Sequence, residues 1–295
     1  MDIKKYFQEK TSLINEQLDC LLPKPDLKPQ ILHQAMRYSV FAGGKRLRPV
    51  LFLATLEALD YRETDLLPFA CALELIHTYS LIHDDLPAMD NDDFRRGLLT
   101  CHKKFGEAQA ILAGDALLTY SFNLMLAVRE KGAAPERLLQ AIDEVASRAG
   151  LKGMIIGQVT DIESENKDIS LEELKFIHRN KTGALICAAV RSAAILSGAD
   201  EKTLEKLTGY AENLGIAFQI TDDILDVIGD EKKLGKPVGS DAKKRKATYP
   251  SLLGLEKSRA LAEEAVNRAL WFLEDMTSSA DPLREIGKTV LHREA

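Results

Sequence analysis

The sequence predicts an all-α protein, and three observations support that fold class. Leu, Ala, Glu and Lys dominate, and the apolar–polar alternation that marks β-strands is scarce. Most prolines lie at the boundaries of long stretches that contain no other helix breaker. Several of these stretches are apolar on nearly every face, which is typical of helices in the middle of a bundle. We therefore expect a single large helical bundle.

Proline positions and uninterrupted stretches place the individual helices to within a few residues. Pro49 precedes an apolar run and Pro68 precedes FACALELIHTYSLIH, and proline is favoured in the first turn of a helix. We expect further helices at about 4–20, 27–42, 108–130, 136–161, 171–196, 202–228 and 256–274. No linker divides the chain, so we predict one domain over residues 1–295.

The most polar segment runs from Gly229 to Pro250 and contains glycines, lysines and prolines without apolar periodicity. We interpret it as a long mobile loop within the domain. Loops of this length without secondary structure are uncommon and are often functional.

Composition and charge exclude several classes of protein. A hydrophobic content of 45% and a charged content of 28% allow a sizeable core. No apolar run approaches the ~18 residues of a transmembrane helix and no secretory signal is visible, so we expect a cytoplasmic protein without stable membrane insertion. The net charge of −6 argues against nucleic acid as a partner. No two cysteines form a C-x-x-C motif, and we expect reduced thiols.

The first candidate site is an aspartate cluster in LIHDDLPAMDNDDFRRG, at the end of an apolar helix. The carboxylates of Asp84, Asp85 and Asp90 are oxygen ligands of the kind that Mg²⁺ prefers and shares with substrate phosphates. Helical spacing leaves Asp84 and Asp90 roughly 120° apart, so Asp90 can return to Asp84 only through a distorted turn around Pro87. The alternative is a solvated acidic helix end followed by a basic turn.

A second cluster lies in GIAFQITDDILDV. Gln219, Asp222 and Asp226 are three and four residues apart and share one helix face, with Asp223 to the side. Two carboxylates and an amide on an otherwise apolar helix are costly to bury unless they are paired or bound to metal. The alternative is an amphipathic surface helix, which would show more polar positions than this segment has.

Basic residues accompany both clusters, as an acidic protein that binds polyanions would require. GGKRLRP lies at a loop-to-helix junction, where glycines and a helix N-terminus favour phosphate, although its spacing is not that of a P-loop. Arginines can bind phosphate oxygens in pairs, and a lysine-rich loop can close over an anion and exclude water. The alternatives are a charged surface turn and a solvated charge run. The candidate cations are Lys45, Arg46 and Arg48 in this turn, Arg95 and Arg96 after the first cluster, and Lys232, Lys233, Lys236, Lys243, Lys244, Arg245 and Lys246 after the second.

Three smaller features are less specific. KTGAL, at residues 181–185, places a cation, a hydroxyl and a glycine in a helical stretch. His77 precedes Asp84 by seven residues on nearly the same helix face, so it is either a substrate contact or an ordinary core histidine. GLKGMIIGQ would place three glycines on one helix face, and close packing against a neighbouring helix explains them better than ligand binding.

Taken together, these segments resemble the bacterial-type farnesyl diphosphate synthases of the trans-prenyltransferase, or polyprenyl synthetase, family. The matching motifs are GGKRLRP, ELIHTYSLIHDDLPAMDNDDFRRG, KTGAL, FQITDDILD, LGKPVGSD and RKATYP, in the family's order and spacing. The resemblance implies an isoprenoid synthase-like fold, with many helices around a deep central cavity and the two aspartate clusters facing each other across its mouth. It also implies a homodimer.

The activity that the resemblance implies is head-to-tail condensation of isopentenyl diphosphate with dimethylallyl or geranyl diphosphate. About three Mg²⁺ ions per site would bridge the allylic diphosphate and stabilise it as it leaves an allylic carbocation. The departing diphosphate is a plausible base for the final proton loss. A dedicated protein nucleophile or base is then not required, and none stands out in the sequence.

The resemblance also implies roles for individual residues. Metal ions would be held by Asp84 and Asp90 with Asp222 opposite, and Asp85, Asp223 and Asp226 would be further ligands or neighbours of ligands. The allylic diphosphate would be bound by Arg95, Lys181 and Lys236, and isopentenyl diphosphate by Lys45, Arg48, His77 and Arg96. Thr182 and Gln219 would lie near the carbocation, and Gly44 and Lys246 would be further substrate-binding residues.

In this family two positions below the first cluster gate the cavity; here they are Ser80, one turn beneath Asp84, and Tyr79 beside it. The small Ser80 would let a geranyl chain extend once more, and Tyr79 would obstruct longer chains. The resemblance therefore predicts farnesyl diphosphate as the main product.

Two departures and three alternatives remain. The chain ends HREA, where family members often carry a basic pair that closes over isopentenyl diphosphate, and Thr221 occupies a position that is often Gln. A geranylgeranyl diphosphate synthase shares nearly all these motifs. A terpene cyclase would not need GGKRLRP and His77 for a second diphosphate. A non-catalytic regulatory subunit would be expected to lack one aspartate cluster or the lysines, and this chain retains both.

Overall fold

The computed structural model describes residues 1–228 and 246–292, and this part of the chain is helical almost throughout. The predicted all-α fold is confirmed. The only strands among the described residues are β1 (Phe94–Arg95) and β2 (Leu98–Leu99), which have two residues each and pair as an antiparallel hairpin. The α-helices are α1 (Ile3–Leu21), α2 (Gln30–Val40), α3 (Leu47–Ala58), α4 (Leu67–Asp84), α5 (Cys101–Phe105), α6 (Glu107–Ala127), α7 (Pro135–Ala149), α8 (Met154–Glu163), α9 (Leu171–His178), α10 (Ala184–Ser197), α11 (Glu201–Ile228), α12 (Tyr249–Leu253), α13 (Leu255–Trp271) and α14 (Asp281–His292).

Short helical turns connect some of these elements. Turns of 3₁₀ helix cover Glu63–Leu66, Val128–Lys131 and Ser278–Ala280. One turn of π-helix, Arg179–Gly183, joins α9 to α10. We call it the π-turn.

Several helices begin where side chains satisfy the first free backbone N–H groups. The Asp2 carboxylate accepts hydrogen bonds from the N–H groups of Lys4 and Lys5 at 3.0 and 3.2 Å, and α1 follows. Ser170 and Glu173 form a reciprocal capping box at the start of α9. Pro68 lies in the first turn of α4, as its position in the sequence indicates.

The predicted helix at 136–161 is two helices in the structure. Gly150 and Gly153 lie in the turn between α7 and α8, where Leu151 is 82% exposed, so the prediction that they share a helix face with Gly157 is wrong. Glycine lowers helix stability, and two glycines three positions apart allow the chain to turn here. Only Gly157 lies within a helix and packs closely on a neighbour.

The described residues group into two compact units, each drawn from more than one stretch of chain. The N-terminal unit comprises Asp2–Leu53 and Arg62–Leu138, and the C-terminal unit comprises Ala54–Tyr61, Leu139 onward and Met1. The single domain predicted from the sequence stays a prediction.

In the N-terminal unit, α4 packs along α6 and is covered by α1 and α2. Most α4 side chains are buried, and the stacked rings of Phe52 and Phe69, 5.3 Å apart, lie in its core. In the C-terminal unit, α11 packs between α10 and α13. A core cluster that includes Leu174, Ile220 and Tyr249 lies at one end of α11.

Two helical segments, Thr64–Asp84 and Glu107–Lys131, are long and apolar enough to cross a membrane. In the first, 72% of the apolar window is buried inside the protein, and core helices of globular proteins pass the same test. In the second the buried share is 39%. The uninterrupted apolar runs in the sequence are shorter than these two helices, which also contain polar residues. The expected absence of membrane insertion stays a prediction.

Candidate active site

The first aspartate cluster lies where α4 ends and the chain turns back. The N–H of Leu86 donates to the carbonyl of His83 at 3.1 Å, and the N–H of Asp90 donates to the carbonyl of Asp84 at 2.9 Å. This confirms the distorted turn around Pro87 that the spacing of Asp84 and Asp90 predicts. Asp84 and Asp90 are half-buried, so the turn brings the two residues together at a surface that solvent still reaches.

Asp85 differs from its two neighbours, since Arg95 of β1 binds both of its carboxylate oxygens. Arg95 Nε lies 2.8 and 2.9 Å from the two oxygens, and its Nη2 lies 2.5 Å from Oδ1. Burial raises the pKa of the Asp85 carboxyl above its ordinary value although Arg95 draws it down. This geometry favours a role for Asp85 in positioning Arg95 over a role as a metal ligand.

The glycines of the basic turn make room for Arg96. Gly43 and Gly44 have φ angles of +94° and +116°, a region that favours glycine. The Arg96 guanidinium donates to the Gly43 carbonyl, and a Cβ on Gly44 would lie 2.5 Å from Arg96 Nη1. Gly44 thus leaves the space that the Arg96 guanidinium occupies, and Arg96 is one of the residues that the family resemblance assigns to isopentenyl diphosphate.

Arg46, one of the candidate cations of the basic turn, is buried in the structure. Its guanidinium donates to Glu74 Oε1 at 2.8 Å, to the Val40 carbonyl at 2.6 Å and to Asn15 Oδ1 at 3.0 Å. Both side chains of the Arg46–Glu74 ion pair are 2% exposed. Arg46 therefore anchors the turn, whereas Lys45 is exposed and Arg48 is half-buried.

His77, on α4, has several arginines from other segments around it. Burial, and then the charges of Arg48, Arg96, Arg95 and Arg46, lower its pKa well below the ordinary value, so the imidazole is neutral near pH 7. A group of arginines around a neutral imidazole, in a chain of net charge −6, is a local concentration of positive charge. Such a site suits a polyanion.

The predicted gate residues lie one turn below Asp84. Tyr79 is 6% exposed, and the edge of its ring meets His83 at a centroid distance of 5.7 Å. His83 in turn fits against α6 at Gly114, where a Cβ would lie 2.5 Å from its Cδ2 atom. The Ser80 hydroxyl donates to the His77 carbonyl at 2.8 Å. Tyr79 is therefore held in place by α6 through His83.

The second cluster forms a chain of hydrogen bonds in the C-terminal unit. The Thr182 hydroxyl lies 2.8 Å from Gln219 Oε1, and Gln219 Nε2 donates to Asp223 Oδ1 at 3.0 Å. The backbone N–H of Tyr249 donates to the other oxygen of Asp223 at 2.9 Å. Since both oxygens of the buried Asp223 accept hydrogen bonds, the geometry favours an orienting role for it over metal ligation.

Asp222 and Asp226 project from the same helix with different exposure. Asp222 is half-buried, whereas Asp226 is 3% exposed. The helix α11 runs unbroken past both residues, so the face predicted from their spacing forms as expected.

Lys181 and Lys246 meet at a carboxylate that sequence reasoning missed. Lys181 Nζ donates to Asp161 Oδ2 at 2.7 Å, and Lys246 Nζ lies 3.5 Å from the same oxygen. In the sequence Asp161 marks only the start of a polar break. Because the two lysines are 20 and 85 residues away from Asp161, no local sequence pattern links them to it. The one signal in the sequence that could have identified Asp161 is its position four residues after Gly157, on the same face of α8.

The π-turn brings Lys181 and Thr182 to this site. Helix α8 approaches it so closely that a Cβ on Gly157 would lie 2.7 Å from the Cα of Lys181 and closer still to its nitrogen. Single π-helical turns occur frequently at functional sites. The close packing predicted for Gly157 is confirmed.

Several predicted residues lie outside the described part of the chain. They are Lys232, Lys233, Lys236, Lys243, Lys244, Arg245 and Arg293. The described end of the predicted loop is ordered as a helix start, since Thr248 caps α12 and accepts from the Ser251 N–H at 3.2 Å.

The carboxylates suit divalent cations that a substrate shares. Among the described residues no three His, Cys, Asp or Glu side chains form a ready-made metal site. Mg²⁺ commonly binds through one or two carboxylates together with substrate phosphates, and half-buried carboxylates such as Asp84, Asp90 and Asp222 fit that chemistry.

Comparison with known proteins decides the family. The polyprenyl synthetase model matches residues 29–279. The chain belongs to the polyprenyl synthetase family. This confirms the resemblance drawn from the motifs, and prenyl synthases of this kind depend in general on divalent metal ions.

Similar members of the family include both candidate product classes. The farnesyl diphosphate synthase of Geobacillus stearothermophilus is 47% identical over 92% of each chain. The geranylgeranyl diphosphate synthase of Cyanophora paradoxa is 46% identical over 98% of this polyprenyl synthetase and 95% of its own chain. The crystal structure of an FPP/GFPP synthase from Zymomonas mobilis superposes with a TM-score of 0.87 at 36% identity, covering 98% of this chain and 99% of that one.

Proposed function

We propose that this polyprenyl synthetase condenses isopentenyl diphosphate with dimethylallyl and then geranyl diphosphate to give farnesyl diphosphate. The observation that carries the proposal is the presence of two sets of cations that are separate in sequence, Arg48 and Arg96 near His77 and Lys181 and Lys246 at Asp161. Each set of cations suits one diphosphate. A condensation of two diphosphates needs both sets, whereas a terpene cyclase needs one.

The residues of the chain would divide the reaction between them. Lys45, Arg48, Arg96 and the neutral imidazole of His77 bind isopentenyl diphosphate. Arg95, Lys181, Lys236 and Lys246 bind the allylic diphosphate and stabilise the charge that develops as the allylic C–O bond breaks. The departing diphosphate then accepts the proton that the condensed product loses.

Thr182 and Gln219 would face the allylic cation. Because the Thr182 hydroxyl hydrogen is directed to Gln219, the lone pairs of the hydroxyl oxygen remain for a developing positive charge. Asp223 holds the Gln219 amide in the orientation that makes this possible.

About three Mg²⁺ ions, when bound, would neutralise the allylic diphosphate and improve it as a leaving group. We propose Asp84 and Asp90 in the first cluster and Asp222 in the second as the residues that hold them. Asp226 is a further candidate, and Asp85 and Asp223 support neighbouring side chains.

We also propose a cytoplasmic homodimer. All four cysteines are free, which suits a reducing compartment. Helix α6 exposes Ile111, Leu112 and Leu126, each more than 40% accessible, and an apolar helix face of this kind is commonly covered by a second subunit. Sedimentation of the purified protein tests the dimer.

A geranylgeranyl diphosphate synthase is the second candidate, because relatives of that name are as similar as those named farnesyl diphosphate synthase. The two differ in the length at which the chain stops growing. The buried ring of Tyr79 favours the shorter product.

One experiment tests the activity and the product together. Purified protein is incubated with isopentenyl diphosphate, each allylic starter and Mg²⁺, and the product chains are measured. Farnesyl diphosphate as the main product is expected, and no condensation with any starter would exclude the enzyme. Asp84→Ala and Asp222→Ala should each lose at least about a hundredfold in rate, so full activity in either would refute the metal assignment.

A further inference from the structure

Asp161 is the one carboxylate, among the described residues, that forms ion pairs with both Lys181 and Lys246. Both lysines approach the same oxygen, Oδ2, and the three side chains are between 16 and 25% exposed. Burial acts to raise the pKa of Asp161, but the two lysine charges outweigh it and the pKa is lowered. The carboxylate is therefore ionised at neutral pH.

Two ammonium groups held at one oxygen repel each other unless an anion lies between them. Asp161 supplies that anion before any substrate binds. Each ammonium has three N–H donors, so an ion pair with Asp161 does not prevent the same ammonium from also contacting a diphosphate.

The position of Asp161 is set by rigid backbone. It lies one turn beyond Gly157 on α8, and Gly157 packs directly against the backbone of the π-turn that carries Lys181. Lys246 instead lies just before α12, which Thr248 caps. One carboxylate thus joins cations from two separate elements.

We propose that Asp161 is a positioning residue that holds Lys181 and Lys246 side by side, so that both can contact the allylic diphosphate. The inference rests on the proposed function. It assigns Asp161 to the lysines and to neither the metal ions nor isopentenyl diphosphate.

The test compares the two substrates in one enzyme. Asp161→Asn keeps the size of the side chain and removes its charge. We expect KM for geranyl diphosphate to rise about tenfold while KM for isopentenyl diphosphate stays within about twofold, because only one diphosphate loses oriented donors. Asp161→Glu should recover part of the loss.

Glu144 provides a matched control, since this half-buried carboxylate also binds two cations, Arg148 and Arg191, in the same unit. Glu144→Gln should leave both KM values unchanged. If Asp161→Asn folds poorly, Asp161→Glu is compared in two proteins, the natural chain and a Lys246→Met variant. Because Lys246→Met already removes one of the two lysines that Asp161 holds, Asp161→Glu should change KM for geranyl diphosphate less in that variant than in the natural chain.

Three results would overturn the inference. They are an unchanged KM for geranyl diphosphate in Asp161→Asn, an equal rise in both KM values, and full additivity of the Asp161 and Lys246 substitutions. An inactive natural protein would instead refute the proposed function.

Discussion

Gly44 matters for the space it leaves as well as for its backbone angle. Both glycines of the basic turn have positive φ, so alanine at either position costs about 1 kcal/mol of stability or more. Only at Gly44 would the new Cβ meet the Arg96 guanidinium, whereas at Gly43 it meets open space.

This difference gives a paired prediction. Gly44→Ala should raise KM for isopentenyl diphosphate about tenfold, because Arg96 is displaced, while Gly43→Ala should lose similar stability and keep its KM. Steady-state kinetics with thermal melting of both variants provide the measurement. Equal KM values in the two variants would show that Arg96 does not depend on this space.

Tyr79 is expected to set the product length. Tyr79→Ala removes a buried ring that His83 braces from α6, and the product should lengthen beyond farnesyl diphosphate. Chromatography of the dephosphorylated products measures this change. Tyr6→Ala removes a similarly buried ring from α1 and should leave the product as it is. An unchanged product from Tyr79→Ala would contradict the gate.

At the scale of elements, the contact between α8 and the π-turn controls where Lys181 and Thr182 lie. Gly157→Ala would place a Cβ against backbone atoms of Asn180 and Lys181, which cannot move as a flexible side chain would. We expect a loss of about 1–3 kcal/mol in stability and at least a tenfold loss in kcat/KM.

Gly287→Ala is the control for this substitution. Its Cβ would meet Leu270 and Tyr210 at ordinary distances of 3.4 and 3.8 Å, within the helix α14. Alanine there should be neutral or stabilising by about 0.5–1 kcal/mol, with unchanged activity. Urea unfolding and steady-state kinetics distinguish the two variants, and a Gly157→Ala enzyme of full activity would refute the role given to the contact.

The helices differ in how well the sequence predicts them. Helix α11 was expected at about 202–228 and is found at Glu201–Ile228, because no breaker interrupts it. The break between α7 and α8 was missed, since an isolated glycine is compatible with a helix and only packing decides whether the chain turns. The hairpin of β1 and β2 is too short to show any alternation.

In the candidate site too, features that depend on neighbouring residues could be predicted from the sequence, whereas contacts between residues far apart in the sequence could not. The return of Asp90 to Asp84 was predictable because Pro87 and the spacing act within one turn of chain. The burial of Arg46 and the lysine partners of Asp161 could not be predicted in this way, because the residues that each contacts lie far along the sequence. Charge and spacing identify candidate cations but do not show which of them bind carboxylates of the protein itself.

Across the whole molecule, acid should weaken the fold partly through His178. Its Nδ1 atom is buried without a hydrogen-bond partner, its ring lies 5.5 Å from that of Tyr249, and burial lowers its pKa to about 4. An unfolded chain binds this proton near pH 6.5. The stability that this group contributes is therefore complete above about pH 6.5 and is lost as the pH falls to about 4.

His178→Gln should reduce this loss. The natural protein should lose up to about 3 kcal/mol more than the variant between pH 7 and pH 4, an upper limit that follows from the size of the pKa change. Urea unfolding across this range measures the difference. Parallel stability profiles for the two proteins would show that His178 can be protonated without cost in the folded state.

The burial of Arg46 has a consequence for how this sequence can vary in evolution. One planar guanidinium spans three acceptors, on Glu74, Asn15 and Val40, that a single ammonium on a flexible stem cannot reach together. Arginine at the exposed position 45 should therefore leave the fold unchanged, while lysine at position 46 should be selected against. Of the basic residues in this turn, the one furthest from solvent is thus expected to be the least replaceable.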